Sequence, residues 1–304
     1  MKDQISHIES HKTHKGGFAD LILKETYFSA LKILKFMTST SILLSLNAAM
    51  VVVFGFFLYS SRIMPDLLLA AFLVTFGVYG LNKVTDKNED SINRPETVPK
   101  NSGYYVLFSI ASMLIGFLIG LLEGIIAFTV LFAPIIIGVI YSLRLSKSIP
   151  RLKEIIGVKS LAVATIWALT GSLLPNSILT AKRDASVVVF TYIFIRIFVG
   201  TILFDVLDKK GDLASGINTI PIRLGRYKTK KLLIFVNSFG MILLVYCLAT
   251  GIFIQFLPAL LFGVLYGYLA IWFFFKDNCK RFTAELMLDA EWLPIIIITG
   301  LLIR

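Results

Sequence analysis

The sequence has few charged side chains and almost none of the residues that form disulfides or zinc sites. Charged residues make up 16% of the 304 residues, whereas a soluble domain carries about 25%. The two cysteines are Cys247, in an apolar run, and Cys279, in a polar stretch, and their separate settings predict neither a disulfide nor a thiolate metal site. The three histidines, His7, His11 and His14, lie in a polar N-terminal tail, where we expect no metal site.

Long apolar segments dominate what is present. The chain is 57% hydrophobic with a mean hydropathy of +0.81, which is more apolar surface than a water-facing domain can bury. A helix that crosses the bilayer needs about 20 apolar residues, and nine segments approach that length. We therefore predict an all-α integral membrane protein, a bundle of about nine transmembrane helices. The short gap at Glu123 leaves open one re-entrant segment in place of two spans. The predicted spans cover residues 38–60, 64–82, 104–122, 124–143, 157–175, 186–206, 231–251, 254–275 and 285–303.

Basic residues are distributed unequally between the two sides of this bundle. With nine spans, 25 of the 30 lysines and arginines fall on the side of the N-terminus and four fall on the other side. Cytoplasmic loops carry the excess of Lys and Arg, so we predict a cytoplasmic N-terminus in the cell membrane. This asymmetry, with anionic lipids and substrates, accounts for the net charge of +11. We expect the lipid bilayer as a partner and no nucleic acid.

The first 37 residues differ from the rest of the chain. Residues 1–17 are polar and lack the apolar core of a signal peptide, so we expect no cleaved leader. Residues 18–36 place apolar side chains such as Phe18, Leu21 and Ile22 among lysines, which predicts an amphipathic helix at the membrane surface. We expect residues 1–37 to form this tail and interfacial helix, and residues 38–304 to form the membrane domain.

Acidic residues cluster after two of the predicted spans. The first acidic motif, in "LNKVTDKNEDSINRPE", consists of Asn82, Asp86 and Asp90 at four-residue spacing, which a helix would align on one face. The second acidic motif, in "FDVLDKKGDLASG", consists of Asp205, Asp208 and Asp212. Both motifs end an even-numbered span, so both would open on the cytoplasmic face. Their separation by four spans predicts two four-helix halves plus a ninth helix.

The chemistry of these motifs favours a divalent cation. Like charges one turn apart repel, and carboxylates near hydrocarbon are costly without a partner. Mg²⁺ takes one or two protein carboxylates and completes its coordination with water and phosphate oxygens. Two facing motifs would therefore bind a diphosphate. A solvated helix cap is the alternative for either motif alone, and an ion pathway in a transporter is the alternative for both, although transporter sites lie near the middle of the bilayer.

Basic residues follow the acidic motifs on the same face. Arg94 lies just after the first motif, and "YSLRLSKSIPRLK" supplies Arg144, Lys147, Arg151 and Lys153 after the fourth span. Such groups neutralise phosphate oxygens. Each of them also serves the charge asymmetry of the loops, so we expect two or three to bind a phosphorylated ligand.

These motifs resemble the UbiA superfamily of intramembrane prenyltransferases. "NKVTDKNED" is similar to the first acidic motif of that family, "DVLDKKGD" to the second, "YSLRLSK" to the tyrosine-containing loop between them, and "GDLASGINTIPIRLG" to the stretch after the second motif. The sequence departs from the pattern at Lys83, where many members carry Asp, and at Lys35, where many carry Arg. Because Lys83 lies off the stripe of the first motif, we expect an interfacial lysine there; the alternative is a lysine that faces the site and pairs with a phosphate oxygen.

The resemblance implies a transmembrane prenyltransferase domain over residues 38–304. It implies transfer of a polyprenyl group from a prenyl diphosphate to a lipophilic acceptor through Mg²⁺-assisted ionisation to an allylic carbocation, with an aromatic quinone precursor as the preferred acceptor. An ether-lipid transferase of the digeranylgeranylglyceryl phosphate synthase type is the alternative. The implied Mg²⁺ ligands are Asn82, Asp86, Asp90, Asp205, Asp208 and Asp212; the implied diphosphate-binding residues are Arg94, Ser142, Arg144, Lys147 and Lys153; and Tyr141 is expected to stabilise the carbocation.

Overall fold

The computed structural model describes residues 18–99, 101–142, 155–177, 181–277 and 279–303, and these residues form helices, turns and loops without a β-strand. The chain divides into two units, Met1–Thr40 and Ser41–Arg304. In the first unit the structure describes one helix, α1, Phe18–Ser39. The second unit is the helical bundle that carries both acidic motifs. The all-α prediction is thus confirmed for the described part of the chain.

Most helices of the second unit follow the predicted apolar segments. The helices of this unit are α2 Ile42–Leu58, α3 Pro65–Thr85, α4 Lys87–Asn93, α5 Ser102–Leu122, α6 Ile125–Ser142, α7 Val158–Leu173, α8 Arg183–Ala214, α9 Ile220–Thr250, α10 Leu257–Phe274, α11 Arg281–Asp289 and α12 Trp292–Leu301. Helix α8 ends eight residues after the predicted 186–206, and α9 begins eleven residues before the predicted 231–251. Short 3₁₀ turns lie at Pro95–Thr97 and Ile254–Phe256.

Five helical segments of the described chain are long and apolar enough to cross a membrane. They are α3, α5, α8, α9 and the segment Ile254–Phe274, which includes α10. Helices α6 and α7 are apolar but shorter. These helices indicate a multi-pass membrane protein, whereas the count of nine spans and the cytoplasmic N-terminus stay predictions.

The predicted ninth span over residues 285–303 is not one continuous helix, because that segment forms two helices. Helix α11 has nine residues and α12 has ten, so neither reaches the length of about 20 residues that a span requires. The turn between them carries Glu291, which is buried and accepts a hydrogen bond of 2.5 Å from Nε of buried Arg196. Arg196 also donates to Oδ1 of Asn237 at 2.8 Å. A buried carboxylate needs such a partner, and the turn brings Glu291 to it.

Close helix packing fixes α3, which leads into the first acidic motif. A Cβ atom at Gly77 would lie 2.5 Å from the carbonyl oxygen of Ser109 on α5, and one at Gly116 would lie 3.0 Å from the carbonyl oxygen of Ala70. Only glycine permits this approach of the two backbones, which is the usual role of small residues between membrane helices. The end of α3 is therefore held by a rigid contact.

The start of α9 explains the "TIPIRLG" pattern. Pro221 lies in the first turn of α9, where its missing N–H costs nothing. Gly225 interrupts the helix with φ 74° and ψ 169°, a conformation that only glycine adopts without strain. The residues of this pattern therefore form a short helical segment after the second acidic motif, and Gly225 separates it from the rest of α9.

Candidate active site

The first acidic motif lies where one helix ends and the next begins. Helix α3 ends at Thr85, and Asp86, with φ −98° and ψ 18°, joins it to α4. Hydrogen bonds from the backbone N–H to the carbonyl oxygen four residues earlier continue through the junction, from Asp86 to Asn82 at 2.8 Å and from Asp90 to Asp86 at 2.9 Å. Four-residue spacing is therefore kept, although the single continuous helical face that the sequence predicts is interrupted at Asp86.

The second acidic motif lies on the last turns of α8, an uninterrupted helix of 32 residues. Asp205, Asp208 and Asp212 are spaced by three and four residues, so all three carboxylates lie on one face of the helix. Asp205 and Asp212 are 2% and 4% exposed. Buried carboxylates of this kind require cations or hydrogen-bond donors.

The two motifs meet through a glycine contact between α4 and α8. The backbone N–H of Gly211 donates to Oδ1 of Asn93 at 2.8 Å. A Cβ atom at Gly211 would lie 2.4 Å from Nδ2 of Asn93 and 2.7 Å from the carbonyl oxygen of Glu89. Glycine is therefore required at this position for α4 to lie against α8. The structure brings together the two motifs from which the sequence predicts one site.

Four alternating charges link the two motifs to α11. Arg94 Nη2 donates to Asp208 Oδ2 at 2.9 Å, Arg281 Nη2 binds Asp208 Oδ1, and Arg281 Nε donates to Glu285 Oε1 at 2.7 Å. Arg94 Nε lies 3.3 Å from Glu285 Oε1, which closes the circuit. We call Arg94, Asp208, Arg281 and Glu285 the charge ring. Its side chains are between 12% and 27% exposed, so solvent screens them less than surface pairs.

Asp205 is paired on the other side of α8. Lys159 Nζ, in the first turn of α7, donates to Asp205 Oδ1 at 2.6 Å, and Ser160 Oγ donates to Asp205 Oδ2 at 3.5 Å. Cations of the chain therefore already neutralise Asp205, as they neutralise Asp208 in the charge ring. Sequence reasoning assigned Lys159 only to the charge asymmetry of the loops.

The carboxylates of the two acidic motifs other than those of Asp205 and Asp208 are the ones that fit an added cation. Oδ2 of Asp212 is buried without a hydrogen-bond partner among the described residues. Burial raises the pKa of Asp90 above its ordinary value, against the positive charge of Arg94, which lowers it. Within the described ranges, no group of three Asp, Glu, His or Cys side chains is arranged to hold a metal ion. Mg²⁺ needs fewer, because it takes one or two protein carboxylates and completes its coordination with water or phosphate oxygens.

An apolar cavity begins beside the first acidic motif. It lies between α2, α3, α6 and α7, with an empty volume of about 680 Å³ including its opening. Asn82, Tyr79 and Thr75 line one wall and Trp167 lines another. Trp167 Nε1 donates to the hydroxyl oxygen of Tyr79 at 3.3 Å. Asn82 of the first acidic motif therefore lies between the charged end of the bundle and its apolar interior.

Comparison with known families and structures follows this geometry. The model of the UbiA prenyltransferase family matches residues 44–287. The chain belongs to this family. The resemblance inferred from the two acidic motifs is thereby confirmed. Among curated proteins, none matches the sequence.

Solved structures of UbiA homologues share the fold. A UbiA homologue from Archaeoglobus fulgidus bound to GPP and Mg²⁺ has 17% sequence identity and a TM-score of 0.68, and the alignment covers 90% of this chain and 98% of that one. The same homologue bound to Cd²⁺ has 18% identity and a TM-score of 0.62, with coverage of 90% and 98%. A digeranylgeranylglyceryl phosphate synthase has 17% identity and a TM-score of 0.57, with coverage of 90% and 97%.

Several of the residues predicted for the site of this UbiA-family protein are not described. Tyr141 and Ser142 end α6, but their side chains lie outside the described part of the structure. Arg144, Lys147 and Lys153 also lie outside the described residues. Their predicted roles therefore stay predictions. Of the residues predicted to bind the diphosphate, the structure describes the side chain of Arg94, and its predicted role likewise stays a prediction.

Lys83 differs from its expected position. The sequence predicts an interfacial lysine that points away from the site, whereas Lys83 is half-buried and interacts electrostatically with Asp90, Asp289 and Glu285. Lys83 thus adds positive charge on the side of the two motifs.

Two residues of α11 escaped sequence reasoning altogether. Neither Arg281 nor Glu285 is among the residues that the sequence predicts for the site. They lie four residues apart, which puts them on one face of α11, and both contact the charge ring. The available signal was the amphipathic pattern of Arg281, Glu285 and Asp289 inside a segment that is otherwise apolar.

Proposed function

We propose that the protein transfers a prenyl group from a prenyl diphosphate to a lipophilic acceptor within the membrane. The observation that carries the proposal is that the two acidic motifs meet beside an apolar cavity, whose lining includes Asn82 of the first motif. A prenyl diphosphate has the same division, because a charged diphosphate is joined to a hydrocarbon chain. Membership of the UbiA prenyltransferase family supports the same reaction class.

The charged end suits the diphosphate. Asp86, Asp90 and Asp212, with Asn82, are the oxygen donors that would hold Mg²⁺, which would neutralise the diphosphate and the charge that develops on it as it leaves. The UbiA homologue bound to GPP and Mg²⁺ supports this assignment. Arg94 would donate hydrogen bonds to phosphate oxygens, as guanidinium groups do at such sites.

The apolar cavity suits the hydrocarbon chain and the carbocation. Its lining is largely aliphatic, with Trp167 and Tyr79 near Asn82. Departure of diphosphate leaves an allylic carbocation, and a lining without water protects that cation from hydrolysis. The aromatic faces near the first motif would stabilise it electrostatically. A nucleophilic carbon or oxygen of the acceptor then forms the new bond and loses its proton.

Two acceptor classes follow from the comparisons and the sequence. An aromatic quinone precursor is the acceptor that the resemblance suggests first. A phosphorylated glyceryl ether is the second candidate, because one structural neighbour is a digeranylgeranylglyceryl phosphate synthase with a TM-score of 0.57. The basic residues around the first motif, Lys83 and Arg94, would suit a phosphate or a carboxylate on either acceptor.

Reconstituted protein tests the proposal. Purified protein in liposomes receives Mg²⁺, prenyl diphosphates of several lengths and a panel that contains both acceptor classes, and pyrophosphate release is followed together with product mass. We expect Mg²⁺-dependent pyrophosphate release and a product heavier than one acceptor by the prenyl group. The Asp90→Asn variant keeps the shape of the side chain and serves as the negative control. Absence of pyrophosphate release with every prenyl diphosphate would refute the proposal.

A further inference from the structure

The charge ring leaves one of its two arginines less fully bonded than the other. Arg281 uses all three guanidinium nitrogens, since Nε donates to Glu285, Nη2 binds Asp208 and Nη1 donates to the carbonyl oxygen of Leu207 at 3.2 Å. Arg94 forms one hydrogen bond, from Nη2 to Asp208. Its Nε is buried without a hydrogen-bond partner among the described residues, because the 3.3 Å ion pair with Glu285 is not aligned for a hydrogen bond.

This difference separates the roles of the two arginines. Arg281 is tied to its own helix and to the side chain and backbone of α8, so it fixes the two carboxylates that flank Arg94. Arg94 retains a buried donor that is expensive to leave unpaired, next to the motifs that would hold a diphosphate. The ring of Phe204 lies 5.4 Å from the Arg94 guanidinium carbon and supports the guanidinium group further.

We propose that Arg281 and Glu285 of α11 are positioning residues that hold Arg94 in the orientation in which it binds the substrate diphosphate. The inference rests on the proposed function, which makes Arg94 a diphosphate ligand. Glu285 acts on Arg94 by charge from one side, and Asp208 acts on it by a hydrogen bond from the other. Arg281 binds both carboxylates and keeps them at this spacing. Helix α11 thereby becomes a further wall of a site that the motifs assign to α3, α4 and α8.

A purely structural role for the ring makes a different prediction. If the ring only attached α11 to α8, removing the charge of Glu285 would lower stability and would affect diphosphate binding equally with and without Arg94. If Glu285 acts through Arg94, its effect on binding must disappear when Arg94 is absent. A double-mutant cycle measures this dependence. Arg94→Ala leaves Asp208 bound to Arg281, so the variant has no orphaned carboxylate at this position.

The experiment measures binding of inorganic pyrophosphate with Mg²⁺ to the full-length protein in detergent by calorimetry. We expect Glu285→Gln to weaken binding about fivefold, which corresponds to about 1 kcal/mol, and to have no further effect in Arg94→Ala. Glu285→Asp, which keeps the charge, should recover part of the loss. Arg94→Lys provides a second background that keeps a positive charge but lacks the guanidinium Nε. The matched control is Asp277→Asn, which neutralises the partner of Arg226 in an exposed ion pair of 3.1 Å and should change nothing.

The outcomes separate this inference from the proposed function. Loss of the Glu285→Gln effect in Arg94→Ala supports the inference, and a smaller remaining effect in Arg94→Lys, which keeps the charge, is consistent with it. An equal weakening in all backgrounds, or no weakening in the otherwise unaltered protein, would overturn it while leaving the proposed function in place. Failure of the unaltered protein to bind pyrophosphate with Mg²⁺ would overturn both.

Discussion

Gly211 is the position at which the smallest substitution should separate the two acidic motifs. A Cβ atom there would lie 2.7 Å from the carbonyl oxygen of Glu89 and 2.4 Å from Nδ2 of Asn93. The side chain of Asn93 can rotate, but the carbonyl oxygen belongs to the backbone of α4. Relief of that contact therefore requires α4, which carries Asp90, to move away from α8. We predict that Gly211→Ala impairs catalysis without unfolding the protein.

The magnitude follows from the distances. Moving the Glu89 oxygen from 2.7 Å to an ordinary contact of 3.4 Å shifts α4 by about 0.7 Å. A displacement of about 1 Å at a reacting site can lower the rate about 100-fold, so we expect a loss of about 10- to 100-fold in kcat/KM. Overpacking costs about 1–3 kcal/mol, and replacing a helical glycine by alanine returns about 1 kcal/mol. The net loss in unfolding free energy should therefore be about 0–2 kcal/mol, which is compatible with a folded protein.

The assay compares two glycines of the same helix. Gly200 also lies on α8, and a Cβ atom there meets nothing within 4 Å. Gly200→Ala should leave pyrophosphate release unchanged and raise the melting temperature slightly, because alanine favours the helix. Both variants are purified in detergent and assayed for Mg²⁺-dependent turnover and thermal unfolding. If Gly211→Ala turned over substrate as fast as Gly200→Ala, the claim that α4–α8 contact holds the site together would be wrong.

Three further predictions address the metal, the buried ion pair and the topology. Asp86→Ala should abolish turnover with little change in melting temperature, because it removes a proposed Mg²⁺ ligand, and near-normal turnover in EDTA would contradict this. Arg196→Met should lower the unfolding free energy by about 3–5 kcal/mol, since Glu291 would remain buried as an unpaired charge. Adding Glu291→Gln to this variant should recover most of the lost stability. If the double variant instead lost the sum of the two single losses, the pairing of Arg196 with Glu291 would be contradicted. Cysteines placed at exposed Asn88 and Lys210 should resist impermeant thiol reagents in intact cells, and labelling of both from outside would reverse the orientation.

The sequence predicts those parts of the fold that depend on local chemistry. Apolar segments of about 20 residues become helices because the bilayer leaves no other way to satisfy the backbone, so α3, α5 and α7 lie close to their predicted bounds. The position of each acidic motif at the end of a helix also follows from the local sequence. These features need no knowledge of which helix packs against which.

The parts that sequence reasoning missed depend on tertiary contacts. Arg196 and Glu291 are 95 residues apart, and their pairing lies at the break between the two helices of the last apolar segment. Arg281 joins Asp208 across 73 residues, so the local sequence does not show which residue Arg281 pairs with. Ion pairs between distant segments are set by packing, which the local pattern does not encode.

The most direct test of the central claim is to locate the metal and the prenyl diphosphate in the same structure. The protein is crystallised with a prenyl diphosphate and Mn²⁺ in place of Mg²⁺, and the metals are identified by anomalous scattering. The account predicts metal peaks about 2.1 Å from carboxylate oxygens of Asp86 or Asp90 and of Asp212, with phosphate oxygens between them and the hydrocarbon chain in the cavity beside Asn82. Metal peaks away from both acidic motifs, or a diphosphate bound outside the space between them, would contradict it.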